Sequence, residues 1–118
     1  MLTLYGIPNC DTIKKARTWL EKNSIAYTFY DYRKEPITTD KVEKWFQVFP
    51  WEKVINKAST TWKELPAEEK LAITDEKSAA KLAAAHTTVI KRPVIEDASG
   101  KAVTLGFSEK IYDETFLK

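Results

Sequence analysis

Residues 2–20 read LTLYGIPNCDTIKKARTWL. Leu2-Thr3-Leu4-Tyr5 is a β-favouring run closed by Gly6 and Pro8, and beyond it Ile13, Ala16, Trp19 and Leu20 recur at helical spacing on one face. The stretch predicts strand, loop, helix. Asn23-Ser24 stops the helix, and Tyr27-Thr28-Phe29-Tyr30 supplies the aromatic and β-branched residues of a second strand. Together these form a βαβ unit with a parallel strand pair and a right-handed crossover.

Cys10, the only cysteine in the chain, stands where the first strand ends and the first helix begins. A lone thiol cannot close an internal disulfide; it is either a small buried hydrophobe or a reactive group. At a helix start its sulfur would lie near unpaired backbone N–H groups and the positive end of the helix dipole, which favour the thiolate and lower its pKa. Lys14 and Lys15 lie in the first turn, but exposed lysines are screened and add little. A dithiol oxidoreductase would carry its second cysteine at the place of Ile13, so here a resolving thiol must come from another molecule.

Downstream, Thr38 or Thr39 can cap a helix carrying Val42, Trp45, Phe46 and Phe49 at positions i, i+3, i+4 and i+7. Residues 51–86 lean to helix throughout, with Pro66 suited to a first turn and Thr74 to a cap before the alanine-rich DEKSAAKLAAAH. Pro93-Val94-Ile95-Glu96 returns to strand character. A turn at Ala98-Ser99-Gly100-Lys101 leads into Ala102-Val103-Thr104-Leu105, a hairpin signature with glycine at the left-handed position. Ser108 can cap a last helix through Phe116 with Ile111, Thr115 and Phe116 inward. The expected fold is α/β: a thioredoxin-like core (β-α-β, then β-β-α) over 1–37 and 87–118, with a helical insert over about 38–86, in one domain of 118 residues. In this plan the loop with Arg92 and Pro93 would face the Cys10 loop, and Pro93, at the start of a strand, can take a cis peptide. The thiol, the helix start, the late Arg-Pro and the strand order agree, and that agreement favours a reactive Cys10 over an inert one.

Composition narrows the classes. With 19 basic and 17 acidic residues spread along the chain, and a net charge of +2, no basic block exists to track nucleic-acid phosphates. No apolar run approaches the ~20 residues of a membrane span, and the N-terminus lacks a signal-peptide pattern, so a cytoplasmic protein without membrane or nucleic-acid partners is expected. A monomer with no metal site and no tightly bound cofactor completes the expectation. His86 ends the alanine-rich helix and reads as its terminator rather than a base, and the tryptophans Trp19, Trp45, Trp51 and Trp62 read as packing.

The fragments TLYGIPNCDTIKKARTWL, DYRK, TTWKEL, ITDEKSAAKL, IKRPV and LGFSEKIY occur in that order over nearly the whole chain. In them the sequence resembles the glutaredoxin-coupled arsenate reductase family, with its Spx-type transcriptional regulators and most closely its small YffB-type members. The resemblance implies a thioredoxin-like core with a helical subdomain, Cys10 as active cysteine, and Arg92 as the arginine that contacts the thiolate or an oxyanion. It further implies Pro93 as the proline of the thioredoxin-like loop, and Asn9 and Thr12 as active-site loop residues. Reductases of the family form an adduct at the cysteine, which glutathione attacks and a glutaredoxin reduces.

The arsenate reductases carry two further arginines where this chain has Ala58, with Lys57 beside it, and Gly106. One matched arginine is a poor match for a tetrahedral dianion, so the expected activity is a glutathione-dependent thiol reductase rather than reduction of arsenate itself. Cys10 and Arg92 would be catalytic. Asn9, Thr12, Lys14, Lys57 and Pro93 would bind substrate or glutathione, although Lys57 also reads as an exposed loop lysine. The alternative is an RNA polymerase-binding regulator of the Spx type, in which Ile13 removes the usual Cys-x-x-Cys switch.

Overall fold

A computed structural model describes all of residues 1–118. Two compact units make up the chain: Met1–Glu35 with Arg92–Lys118, and Pro36–Lys91 between them. The divisions at 35/36 and 91/92 extend the central unit beyond the 38–86 read from sequence, since it takes in Pro36, Ile37 and the turn at 87–91.

In the first unit the elements are β1 (Leu2–Gly6), α1 (Asp11–Lys22), β2 (Tyr27–Asp31), and later β3 (Val94–Glu96), β4 (Ala102–Leu105) and α7 (Glu109–Phe116). The sheet order is β2-β1-β3-β4: β1 runs parallel to β2, and β3 is antiparallel to both β1 and β4. That is the mixed α/β sheet expected from the sequence. Leu4, Ile13, Ala16, Trp19, Leu20, Ile95 and Tyr112 form one buried cluster, with Phe107 and Phe116 packed at its margin. The next residue of β1 points the other way, and there Tyr5 packs at a tilt against its cross-strand neighbour Tyr30, ring centroids 4.8 Å apart, and donates a 2.9 Å hydrogen bond to buried Glu96.

The ends of α1 follow from its sequence. Asn23 returns its side-chain amide to the Trp19 carbonyl at 2.8 Å, and Ser24 takes φ +58°, so the helix stops where the Asn-Ser pair predicts. Gly6 lets the helix approach: a β-carbon there would collide with the Ile13 side chain, which has no exposed surface. In the hairpin, Gly100 sits at φ +88° as the turn requires.

The last helix differs from expectation. Ser108 does cap it by accepting from the Ile111 N–H, but Ile111 is 49% exposed and Thr115 faces solvent, while Tyr112 is buried. An inward tyrosine wins over an inward isoleucine because three rings receive it edge-on, Trp19, Phe107 and Phe116, at 5.3, 5.0 and 5.3 Å. Its hydroxyl meanwhile reaches the Gly106 carbonyl at 2.8 Å.

The second unit holds α2 (Thr39–Phe46), α3 (Trp51–Val54), α4 (Thr60–Glu64), α5 (Ala67–Leu71), α6 (Glu76–Ala85) and a 3₁₀ turn at Thr87–Val89. Thr38, not Thr39, caps α2, which ends before Phe49. Val42, Trp45 and Phe46 of α2 are buried, as are Ala79, Ala80, Leu82 and Ala83 of α6, and the two helices pack together, the small alanines permitting a close approach. Asp75 rather than Thr74 caps α6, because its carboxylate accepts from the Ser78 N–H at 2.8 Å and Ser78 answers with a bond to the Asp75 backbone. No helix of the protein is long and apolar enough to cross a membrane.

Candidate active site

Three segments of the first unit meet at one end of its sheet. The register places Gly6 of β1 opposite Asp31 of β2, and Tyr5 opposite Val94 of β3. The loop after β1 (residues 7–10), the residue after β2 (Tyr32) and the pair before β3 (Arg92-Pro93) therefore converge, at the carboxyl ends of the two parallel strands. Tyr32 is tied in by its N–H to the Gly6 carbonyl at 3.3 Å. Pro93 is tied from the other side, its carbonyl accepting from the Gly106 N–H at 2.8 Å, and the Arg92–Pro93 peptide is cis.

Cys10 is the N-cap of α1, extended at φ −141°, ψ 128°, with its carbonyl accepting the first helical bond from the Lys14 N–H at 3.0 Å. The neutral thiol is a weak acceptor and makes no cap hydrogen bond of ordinary geometry. For the thiolate the balance changes. Partial burial alone would push the thiol pKa up, but the N–H groups of Ile13 and Thr12 and the Arg92 guanidinium, within hydrogen-bonding reach, outweigh it and hold Cys10 below the ordinary thiol range.

Cys10, Arg92 and Pro93 are thus brought together, and Thr12 contributes its backbone N–H rather than its hydroxyl. Asn9 is exposed in the same loop, and the Lys14 side chain is exposed on α1. Lys57 belongs to the second unit, where its ammonium lies over the rings of Trp51 at 5.7 Å and Trp62 at 5.5 Å. Two indole faces hold that cation, an arrangement that a reading of Lys57 as a plain solvated lysine does not contain. Gly106, where the resemblance would put an arginine, has φ +78°, a conformation that disfavours any side chain.

Tyr32 is the residue that sequence reasoning missed. It is 3% exposed, and its hydroxyl lacks a hydrogen bond of ordinary geometry. Burial pushes its pKa strongly up, opposed by the Arg92 guanidinium that it faces and reinforced by the charges of Cys10 and Asp31. The available signal was a tyrosine among charged residues, DYRK, directly after a strand.

A model of the ArsC family matches residues 5–115. The chain belongs to the ArsC family. Among its ArsC-type relatives is an uncharacterized protein of Haemophilus influenzae, 40% identical over 116 residues, which are 98% of this chain and 99% of that one. A global transcriptional regulator, Spx 1 of Bacillus cereus, is 28% identical over 112 residues, covering 92% of this chain and 82% of the regulator. Of solved structures, the YFFB (PA3664) protein superposes with TM-score 0.89 at 38% identity, over 98% of both chains. An arsenate reductase (ArsC) related protein from Brucella melitensis does so with TM-score 0.73 at 42% identity, over 98% of this chain and 93% of that one. The ArsC fold of the chain is thioredoxin-like, as the sequence implied.

Proposed function

We propose that this ArsC-family protein is a glutathione-dependent thiol oxidoreductase with Cys10 as nucleophile, working in the reducing cytoplasm. The observation that carries the reading is the sulfur at the start of α1, with the Ile13 and Thr12 N–H groups and the Arg92 guanidinium all favouring its thiolate. The thiolate attacks a glutathione-bearing mixed disulfide at the glutathione sulfur; a new S–S bond forms at Cys10 and the substrate thiolate leaves and takes up a proton. A second glutathione thiolate then attacks the adduct, giving oxidised glutathione and restoring the Cys10 thiolate. A glutaredoxin can accept the glutathionyl group in place of that second glutathione. Arg92 stabilises the sulfur anion in both steps and orients the anionic partner.

Arsenate fits this site less well. A dianion calls for several cations, and the family positions for two more hold Ala58 and the left-handed Gly106. The test is glutathione-dependent reduction of a small mixed disulfide by wild type and Cys10→Ser, followed through NADPH and glutathione reductase. Turnover by wild type that the variant loses is the expected result; equal rates would overturn the assignment. A regulator of the Spx type is favoured only by the likeness to Spx 1, and the buried Ile13 leaves it no second thiol for a disulfide switch. Co-purification of RNA polymerase subunits with the tagged protein would revive it.

A further inference from the structure

β2 is an edge strand: one side of its backbone pairs with β1, and no strand lies on the other. Which residues face outward follows from one bond. The Tyr32 N–H reaches the Gly6 carbonyl of β1, and successive strand residues alternate sides. The N–H and C=O groups of Thr28 and Tyr30 therefore face β1, whereas those of Tyr27, Phe29 and Asp31 face out. The Asp31 carbonyl agrees, since it accepts from the N–H groups of Lys34 and Glu35, both at 3.1 Å. Left open along the edge are the N–H and C=O of Tyr27 and Phe29 and the N–H of Asp31. Their own side chains do not cover them: the Tyr27 and Phe29 rings pack toward the core cluster, and Tyr30 packs on Tyr5 on the opposite face.

Folded proteins blunt such an edge with lysine, proline, a bulge or a shortened strand. At the other edge of the sheet, β4 has four residues and an irregular register against β3. β2 reads YTFYD, five residues in unbroken register with β1 and without lysine or proline. A groove of about 520 Å³ runs beside it, lined by Arg17, Phe29, Tyr30, Asp31 and Lys34 and reaching Pro8 in the Cys10 loop. A second groove, of about 430 Å³, continues past Tyr27 to Ile25. A row of backbone donors and acceptors at strand spacing is matched by another extended backbone and not by a small thiol.

We propose that the open edge of β2 takes an extended segment of a protein substrate, which adds as a further strand and is led along the groove toward Cys10. The inference deepens the thiol oxidoreductase reading and rests on it for the reaction: the substrate class becomes proteins in which a cysteine carries glutathione. On attack at the glutathione sulfur such a protein leaves as its thiolate, so its chain lies one disulfide away from Cys10. An added strand lies two strand spacings, about 10 Å, from β1, and three extended residues span about that distance.

Adducts of the wild-type protein test this without any substitution. The Cys10 thiolate displaces thionitrobenzoate from the activated cysteine of a peptide in which three glycines separate that cysteine from Val-Thr-Val-Thr-Val. The cysteine is placed at either end of the peptide, so neither strand direction is presumed, and cysteamine in place of the peptide gives a small adduct. Amide hydrogen exchange is then read residue by residue by NMR. The expected result is exchange of the Phe29 N–H about tenfold slower in one of the peptide adducts than in the cysteamine adduct, as a newly made backbone bond requires, with Thr28 and Tyr30 protected in every adduct. Equal exchange at Phe29 in all of them overturns the proposal. So does protection in the cysteamine adduct that grows with protein concentration, which would assign the edge to a second copy of the chain. If the peptide protects Phe29 while wild type fails to reduce a small mixed disulfide, the strand site stands and the oxidoreductase reading is the one that fails.

Discussion

Replacing Gly6 by alanine would test how α1, and with it Cys10, is seated. Glycine to alanine in a conformation alanine can adopt ordinarily gains about 0.4–1 kcal/mol, through a less flexible unfolded chain. Here the added methyl points into the fully buried side chain of Ile13, with Cγ1 at 3.1 Å and Cδ1 closer still. Overpacking of this kind costs about 1–3 kcal/mol, so the collision wins and the net loss is about 1–2 kcal/mol. With an unfolding entropy of about 0.25 kcal/mol/K for a chain of this length, Tm should fall by about 4–8 °C.

A second substitution isolates the cause. Ile13→Val removes Cδ1, the atom that collides, and by itself costs about 1 kcal/mol. In the double variant the two losses should not add; the pair should be about as stable as Gly6→Ala alone, a coupling of about 1 kcal/mol in a double-mutant cycle read by urea unfolding. Strict additivity, or a Gly6→Ala protein as stable as wild type, would refute the account of Gly6 as the residue that admits α1.

Alkylation of Cys10 by iodoacetamide against pH should show a midpoint below that of an ordinary thiol, about 8.5, and Arg92→Ala should move it upward; an unmoved midpoint would mean that the guanidinium does not act on the sulfur. Tyr5→Phe removes the 2.9 Å donor to the buried Glu96 and should cost about 1.5–3 kcal/mol in urea unfolding; a variant as stable as wild type would show that this bond adds nothing. The exposed carboxyls Asp75, bonded by the Ser78 N–H, and Asp97, bonded by the Ser99 hydroxyl, are both held below their ordinary value of 3.8. Their folded pKa values being the lower ones, they add stability above about pH 3.8 that is lost as pH falls through those folded values. Asp75→Asn with Asp97→Asn should therefore flatten the acid limb of Tm against pH, and an acid limb equal to that of wild type would refute the linkage.

The sequence was most legible where one physical rule acts alone. The apolar period of Ile13, Ala16, Trp19 and Leu20, the Asn-Ser stop and the Gly100 turn each depend on local geometry, and each stands in the structure. It was less legible where groups distant in the chain compete. Tyr112 displaced Ile111 from the interior because three aromatic edges and a backbone carbonyl receive it, and only Phe107 and Phe116 of those rings are near it in sequence. Asp75 took the cap from Thr74 through a reciprocal bond with Ser78, a distinction of one residue that propensity does not make. Within the site, Cys10 was readable from its place between strand and helix. Tyr32 was not, since a tyrosine after a strand gains meaning only when β1, β2 and β3 bring it beside Arg92 and Cys10.

Ile13, buried three residues after Cys10, favours the thiolate through its backbone N–H and has no thiol to offer it. Every disulfide state of this protein is consequently an adduct that carries a second molecule's mass, whereas an internal disulfide would lose two hydrogens. The identity of whatever last reacted with Cys10 through sulfur is thus written in the intact mass of the protein, and weighing it as it leaves the cell would name that partner directly.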